Sequence, residues 1–402
     1  IRSNHAGSYI STTLSGCNTR KYHGLLVCPV NSLDGGKHVL LSALDESISL
    51  KGSVFNLGIR QYQGGFMEPK GHKYLQKFDF ERIPKFSFRV GGMVLTKERL
   101  LVEKEQQLLV RYTLEEAPCP VVMQFRPFLA FRNYHQLSKS NLYTRTHYEV
   151  EPNGISLCLY DGYPRLFMQF NRQPGFVAAP DWHYNVEYTK EKSRGYDYLE
   201  DLYTPGIFEI TLKEGESLVF SASTFQANPA TFKQRFTREV NKRINRDSFL
   251  GCLKNAANQF IQYKADTAVD IIAGYPWYQS ISRQTFVALP GLRIAQSERK
   301  LAMEVLSTYL PFLRNGLFPA SIADPSLKHN SPDTSLWYIW ALQQIRKQGS
   351  RFREFGPPFY RAVKEIVSSY KSGNRVVSMM ENGLLFAAEQ GTALTWMDSY
   401  SH

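Results

Sequence analysis

The chain changes its hydrophobic rhythm near residue 228. Up to about position 225, short runs of β-branched and aromatic residues recur with turn residues between them, at 38–44, 93–102, 108–114, 121–128, 155–160, 166–170, 207–212 and 217–222. Runs of this kind predict strands, and Asn153-Gly154 and Asp161-Gly162 sit between them as hairpin turns. Many antiparallel strands at short spacing predict a large β-sandwich.

Beyond Asn228-Pro229 the apolar positions take helical spacing. Phe249, Leu253, Ala256 and Phe260 recur at steps of four, three and four, the stripe of a core-facing helix. Leu301, Val305 and Tyr309 form a second stripe, widened by Ala302, Leu306 and Leu310. After Gly356-Pro357-Pro358, a third joins Phe359, Val363, Ile366 and Tyr370. About six helices fit between Thr231 and Tyr370, with Gly, Pro and Trp in the connecting loops. The expected fold is multidomain β + α. Residues 1–228 form an N-terminal antiparallel β-sandwich, and 229–402 form part of an α/α toroid of helical hairpins. No internal repeat or low-complexity tract is present.

Composition narrows the classes. With 402 residues, 43% of them hydrophobic, and a mean hydropathy of −0.33, the chain is ordinary globular material with a large core. No apolar run approaches the ~18 residues of a membrane span. The net charge of +12 raises the question of an acidic partner. Its densest parts, 233–246 and 346–375, stud predicted helices without a nucleic-acid motif, so they read as solvated helix faces rather than a nucleic-acid groove. Five cysteines without C-x-x-C spacing read as small buried residues in a reducing, cytoplasmic compartment. The histidines lack ligand spacing, so no metal is expected. Oligomeric state is not legible.

Chemistry concentrates at 329–342, H-N-S-P-D-T-S-L-W-Y-I-W-A-L. Ser331-Pro332 is a helix start, because a side-chain oxygen takes orphan amide protons and proline is preset for the first turn. That puts Asp333 in the first turn, backed by Leu336, Trp337 and Trp340. Such a carboxyl suits protonation of a leaving oxygen beside a sugar, and it equally suits a plain helix-dipole charge. Trp277, Trp337 and Trp396 lie in or beside loops carrying acids, amides and arginine. Indoles stack on pyranose faces while the polar groups meet hydroxyls, although core filling explains a lone tryptophan as well.

Several motifs together resemble one family. Residues 16–27, G-C-N-T-R-K-Y-H-G-L-L-V, and 126–135, R-P-F-L-A-F-R-N-Y-H, are similar to the N-terminal domain of bacterial and archaeal glycogen debranching enzymes of the amylo-α-1,6-glucosidase type. Residues 272–278, I-A-G-Y-P-W-Y, with Leu289-Pro290-Gly291-Leu292, resemble the start of their catalytic domain. Residues 330–337 resemble Y-N-T-x-D-A-S-L-W, and 381–385 with 394–398 resemble N-G-L-L and L-T-W-M-D. The resemblance implies a sandwich followed by a catalytic toroid, hydrolysis of the glucose left at an α-1,6 branch of glycogen or related α-glucan, and no cofactor. It implies Asp333 as general acid, and Tyr275, Trp277, Arg283, Gln284, Asn330, Trp337, Trp396 and Asp398 as sugar-binding residues.

The chain also departs from that pattern. Gln284 stands where the family has aspartate, and so loses charge-assisted bonds, roughly twice as strong as neutral ones. His329 replaces a tyrosine, and Thr334 an alanine. The family's base, a glutamate beyond the T-W-M-D segment, has no counterpart within residues 1–402. Both ends look cut, half the toroid is expected to be missing, and this piece is expected to be inactive by itself. A helix start favours a carboxylate whereas an acid must hold its proton; burial against Trp337 and a second carboxylate push the other way. Two other readings stay open: a glucoamylase- or trehalase-like α-glucosidase, and a non-catalytic α-glucan-binding protein, for which Gln284 speaks.

Overall fold

From position 43 onward, the strand Lys37–Leu50 sends its even residues into the core and its odd residues outward, the period-two pattern of a half-buried strand. Its neighbour Val121–Asn133 does the same with the opposite parity, burying Val121, Met123 and Phe125. These two strands, with Leu199–Leu212 and Gly175–Glu187 beyond them, form the middle of a ten-stranded antiparallel sheet. An eight-stranded sheet contains Pro84–Val90, Met93–Leu101, Gln107–Glu116 and Ser217–Ser223 side by side. Leu44, Ile48 and Phe208 from the first sheet share one core with Leu95, Tyr112 and Phe220 from the second. Two sheets closed over one apolar layer are a sandwich.

The computed structural model describes residues 1–264, 268–292, 298–323, 326, 328–347 and 356–397. Two compact units divide the chain, Ile1–Asn255 and Ala256–His402. Among the described residues six helices have ten residues or more: α1 Phe232–Asn241, α2 Phe249–Asn258, α3 Ser282–Leu292, α4 Arg299–Tyr309, α5 Pro332–Lys347 and α6 Gly356–Ser372. The expected class, a multidomain β + α chain with the sandwich first, is the one observed. The change of sequence texture near 228 precedes the division between units. The reason is α1, whose Phe232 and Phe236 pack on Leu109 and Val219 at the outer face of the eight-stranded sheet. Three of the basic residues there are paired: Arg235 with Glu105, Lys242 and Arg243 with Glu239.

One predicted helix needs correction. α2 forms where the Phe249–Leu253–Ala256 spacing places it, but it does not face a core: Phe249 is 80% and Leu253 50% exposed. Phe260 lies past its end and packs instead on the core of the second unit. Helical spacing reports an apolar stripe, not what covers it. The other two stripes are buried as expected, through Val305, Leu306 and Tyr309 of α4 and Phe359, Ile366 and Tyr370 of α6. They meet α3 and α5 around a ring cluster in which Phe286 stands 4.8 Å from Tyr309 and 5.1 Å from Tyr338. No helix among the described residues is long and apolar enough to cross a membrane.

The two N-terminal motifs, over a hundred residues apart, meet in space. The Tyr22 hydroxyl and His135 Nδ1 are hydrogen-bonded at 3.2 Å, and Arg132 Nη2 donates to the Lys21 carbonyl at 2.7 Å. Arg132 also grips Glu200 with Nε and Nη2, both side chains being almost wholly buried. In the same motif His23 Nδ1 accepts the Thr19 amide proton at 3.2 Å. Burial first, then the Arg20 charge, pushes the His23 imidazole down to about 4. The unfolded chain protonates this histidine below ~6.5 and the folded one only near 4, so its contribution is full above pH 6.5 and falls as pH drops between the two. The unfolding free energy should therefore decline by roughly 1–3 kcal/mol from pH 7 to pH 4, read by denaturant titration at each pH, and His23→Gln should flatten that part of the curve.

Candidate functional site

The site begins with a helix start. α5 begins at Pro332, directly after Ser331, and its first turn presents Asp333 while burying Pro332, Thr334 and Ser335. Proline ahead of the carboxylate fixes the entry, and the alternation of Asp333 with buried neighbours leaves the carboxyl on the open side. α3 delivers Arg283 to the same place. Its first turn buries Ser282, Thr285 and Phe286 on one face, and Arg283 emerges at the edge of that face.

The two side chains form an ion pair joined by one hydrogen bond. Arg283 Nη2 donates to Asp333 Oδ1 at 3.1 Å, and Nε lies 2.6 Å from Oδ2. Nη2 also donates to Ser331 Oγ at 3.0 Å. Both side chains are about a fifth exposed, 18% and 21%, so the pair is open to a ligand rather than sealed. A planar guanidinium fixes the carboxylate in orientation as well as in position.

Other elements hold this turn still. The Tyr370 hydroxyl, at the end of α6, donates to the Pro332 carbonyl at 2.6 Å. Burial, with the Asp333 charge among the further causes, pushes that phenol up to about 12, so it stays a donor. The Phe318 amide donates to Ser335 Oγ at 3.2 Å. Behind Arg283, the start of α3 is tied down by a buried polar network. Tyr309 donates to Asp270 Oδ1 at 2.7 Å and lies 3.0 Å from Ser280 Oγ and 3.2 Å from Thr285 Oγ1. Lys264 completes it with a 2.9 Å contact to Asp270 Oδ2. Burial and the Asp270 charge hold the Tyr309 phenol far above its usual range. A network with each member satisfied specifies one arrangement of the 274–283 segment.

The predicted sugar-binding residues divide. Arg283 and Asp333 come together, with Ser331, which the sequence offered only as a cap. Asn330 turns its amide nitrogen toward the Ala393 carbonyl at 3.4 Å, linking this turn to the 381–397 segment, and its Oδ1 is buried without a partner among the described residues. Trp337 is half-buried and meets Trp340 edge-on at 5.3 Å. Tyr275 is nearly buried, tilted 6.3 Å from Phe260. Trp277 is 39% and Trp396 71% exposed. Gln284 is exposed, and no hydrogen bond joins it to the ion pair. The structure does not bring it into the cluster, because the residue following Arg283 on a helix turns about 100° away. Asp398 lies outside the described residues. The role of Tyr370 was missed; its sequence signal was an apolar stripe, which says nothing of the hydroxyl at its tip.

Comparison with known proteins follows the same two units. Residues 1–219 match the family model described as "Glycogen debranching enzyme N terminal", and residues 255–402 match "Amylo-alpha-1,6-glucosidase". Together the two matches reach into both units of the chain. The chain belongs to the glycogen debranching enzyme family. No curated protein matches it. Among solved structures, a bacterial glucoamylase complexed with acarbose is 12% identical, covers 94% of this chain and 61% of its own, and has a TM-score of 0.49. A heparan sulfate lyase HepC mutant from Pedobacter heparinus is 11% identical over 45% of this chain and 24% of its own, with a TM-score of 0.24. A polysaccharide lyase reaches 0.26, at 9% identity over 93% of this chain and 70% of its own. Likeness this distant says nothing of the reaction.

Proposed function

We propose that the protein hydrolyses α-1,6-linked glucose at branch points of glycogen or a related α-glucan, with Asp333 as the general acid. The observation that carries this reading is the Arg283–Asp333 ion pair at the start of α5, half-open and held from three sides, in a unit that matches the amylo-α-1,6-glucosidase family. Both carboxylate oxygens are engaged by Arg283. Sugar hydroxyls that take over the guanidinium donors free one oxygen to face the glycosidic oxygen. Asp333, protonated from solvent once the guanidinium has turned to the sugar, then gives that proton to the glycosidic oxygen as the C1–O bond breaks, and water adds from the opposite ring face with inversion. The water needs a second carboxylate ~6.5–9.5 Å away, which is left unassigned. Trp277 and Trp396 supply exposed indole faces for the ring. The partner is a branched α-glucan.

Glucose release by the full-length protein from a branched limit dextrin, from maltose and from trehalose tests the linkage. Release from limit dextrin alone is expected. Release from maltose or trehalose instead makes the protein a glucoamylase- or trehalase-like α-glucosidase. Dextrin binding without release makes it a binding protein.

A further inference from the structure

A concave site lies wholly within the strand-rich unit. The outward residues of Lys37–Leu50 and Val121–Asn133 pair across the ten-stranded sheet, Arg126 opposite Asp45 and Gln124 opposite Ser47. The strands Ile59–Tyr62 and Phe66–Lys70 form a wall beside them, and the result is a cavity of about 400 Å³. That is within the ~300–1,000 Å³ of ligand pockets. It lies on the opposite face of the sheet from the apolar core. Arg126, which opens the second family-like motif, lines it.

The lining is built, not incidental. Arg60, buried and stacked 3.6 Å over the Phe128 ring, donates to both oxygens of Asp45 at 3.0 and 3.2 Å. His183 meets the edge of the same ring at 4.7 Å and is bonded to the Tyr62 hydroxyl at 3.3 Å. Burial first, then the Arg60 and Arg126 charges, hold the His183 imidazole below its ordinary value, so it is neutral near pH 7. With Asp45 taken by Arg60, the half-buried Arg126 guanidinium makes no hydrogen bond or ion pair among the described residues. A guanidinium held in a cavity without a protein acceptor is a donor waiting for a ligand.

The charges decide what that ligand is. Arg60 and Arg126 face Asp45 and Glu68, so the walls are balanced. An anion would meet two carboxylates, and a cation two guanidinium groups. A neutral ring with many hydroxyls, each both donor and acceptor, fits donors and acceptors placed side by side, with the Tyr62 ring as an apolar surface. We infer that this cavity is a non-catalytic saccharide-binding site, taking glucosyl units of an α-glucan chain in contact with Arg126, Gln124 and Tyr62. The choice of glucan over another neutral saccharide rests on the function proposed above.

Hydrogen exchange of the whole chain with maltohexaose tests it, because protection reports where the sugar sits. The expected result is slowed exchange in 43–70 and 121–128, in the parent and in Asp333→Asn alike. Arg126→Gln, which breaks no protein bond, should weaken binding at that segment about tenfold while melting normally. If melting is altered, Glu68→Gln, at an exposed position, serves the same purpose. Protection confined to 274–283 and 329–340 overturns this inference and leaves the proposed reaction standing. Protection of neither region under saturating sugar sinks both. Protection of 43–70 by inorganic phosphate but not by maltohexaose also overturns it, in favour of an anion pocket.

Discussion

In the full-length protein, Asp333→Asn is expected to lower glucose release from a branched limit dextrin by about 10²–10⁴-fold while the protein melts almost as before. The amide keeps the shape of the carboxyl and an oxygen to accept from Arg283 Nη2, so the tie between α3 and α5 persists in weakened form. It has no proton to give. The lost ion pair is partly exposed, which limits its share of stability to about 1 kcal/mol or less. If Asp333 served only the helix dipole, the pattern would reverse: a slightly lower melting point with turnover intact. Paired melting and glucose-release measurements on this substitution separate the cases. A variant that melts normally and releases glucose at the parent rate ends the assignment.

Arg132→Met should cost about 3–5 kcal/mol of stability in the strand-rich unit, the largest structural effect anticipated for a single change. Glu200 would keep Ser138, whose amide and hydroxyl both donate to it at 3.0 Å, and the Tyr188 hydroxyl, but no countercharge. A carboxylate with zero exposure and no positive partner is the costly case. Removing both members, Arg132→Met with Glu200→Leu, should recover part of the loss, because the penalty lies in the orphaned charge and not in the missing bridge. Denaturant midpoints of the two singles and the double measure this. Additive losses would mean that the two groups act independently.

These cases show what the sequence disclosed. Each strand expected between 38 and 222 overlaps an observed one, because alternating burial writes itself directly into residue order. The strands 53–70 and 175–187 went unread, since most of their residues are exposed and no apolar parity marks them. Asp333 was legible from Ser331-Pro332, a local signal that survives any tertiary context. Arg283 was legible only through family likeness, and its pairing with Asp333 was not legible. Gln284 was drawn into the pocket by its place next to Arg283, yet it is exposed. The cavity around Arg126 has no linear signature. Its lining comes from separate strands, and only register brings Arg126 opposite Asp45.

The first turn of α5 is bound by Arg283 from α3, by Tyr370 from α6 and by the Phe318 amide. An acid carried on a loop would surrender its freedom each time a substrate arrived, and each turnover would bear that entropic loss. Here the loss was taken once, when the chain folded, and was covered by the packing of Phe286, Tyr309 and Tyr338. Asp333 therefore meets every sugar already aimed.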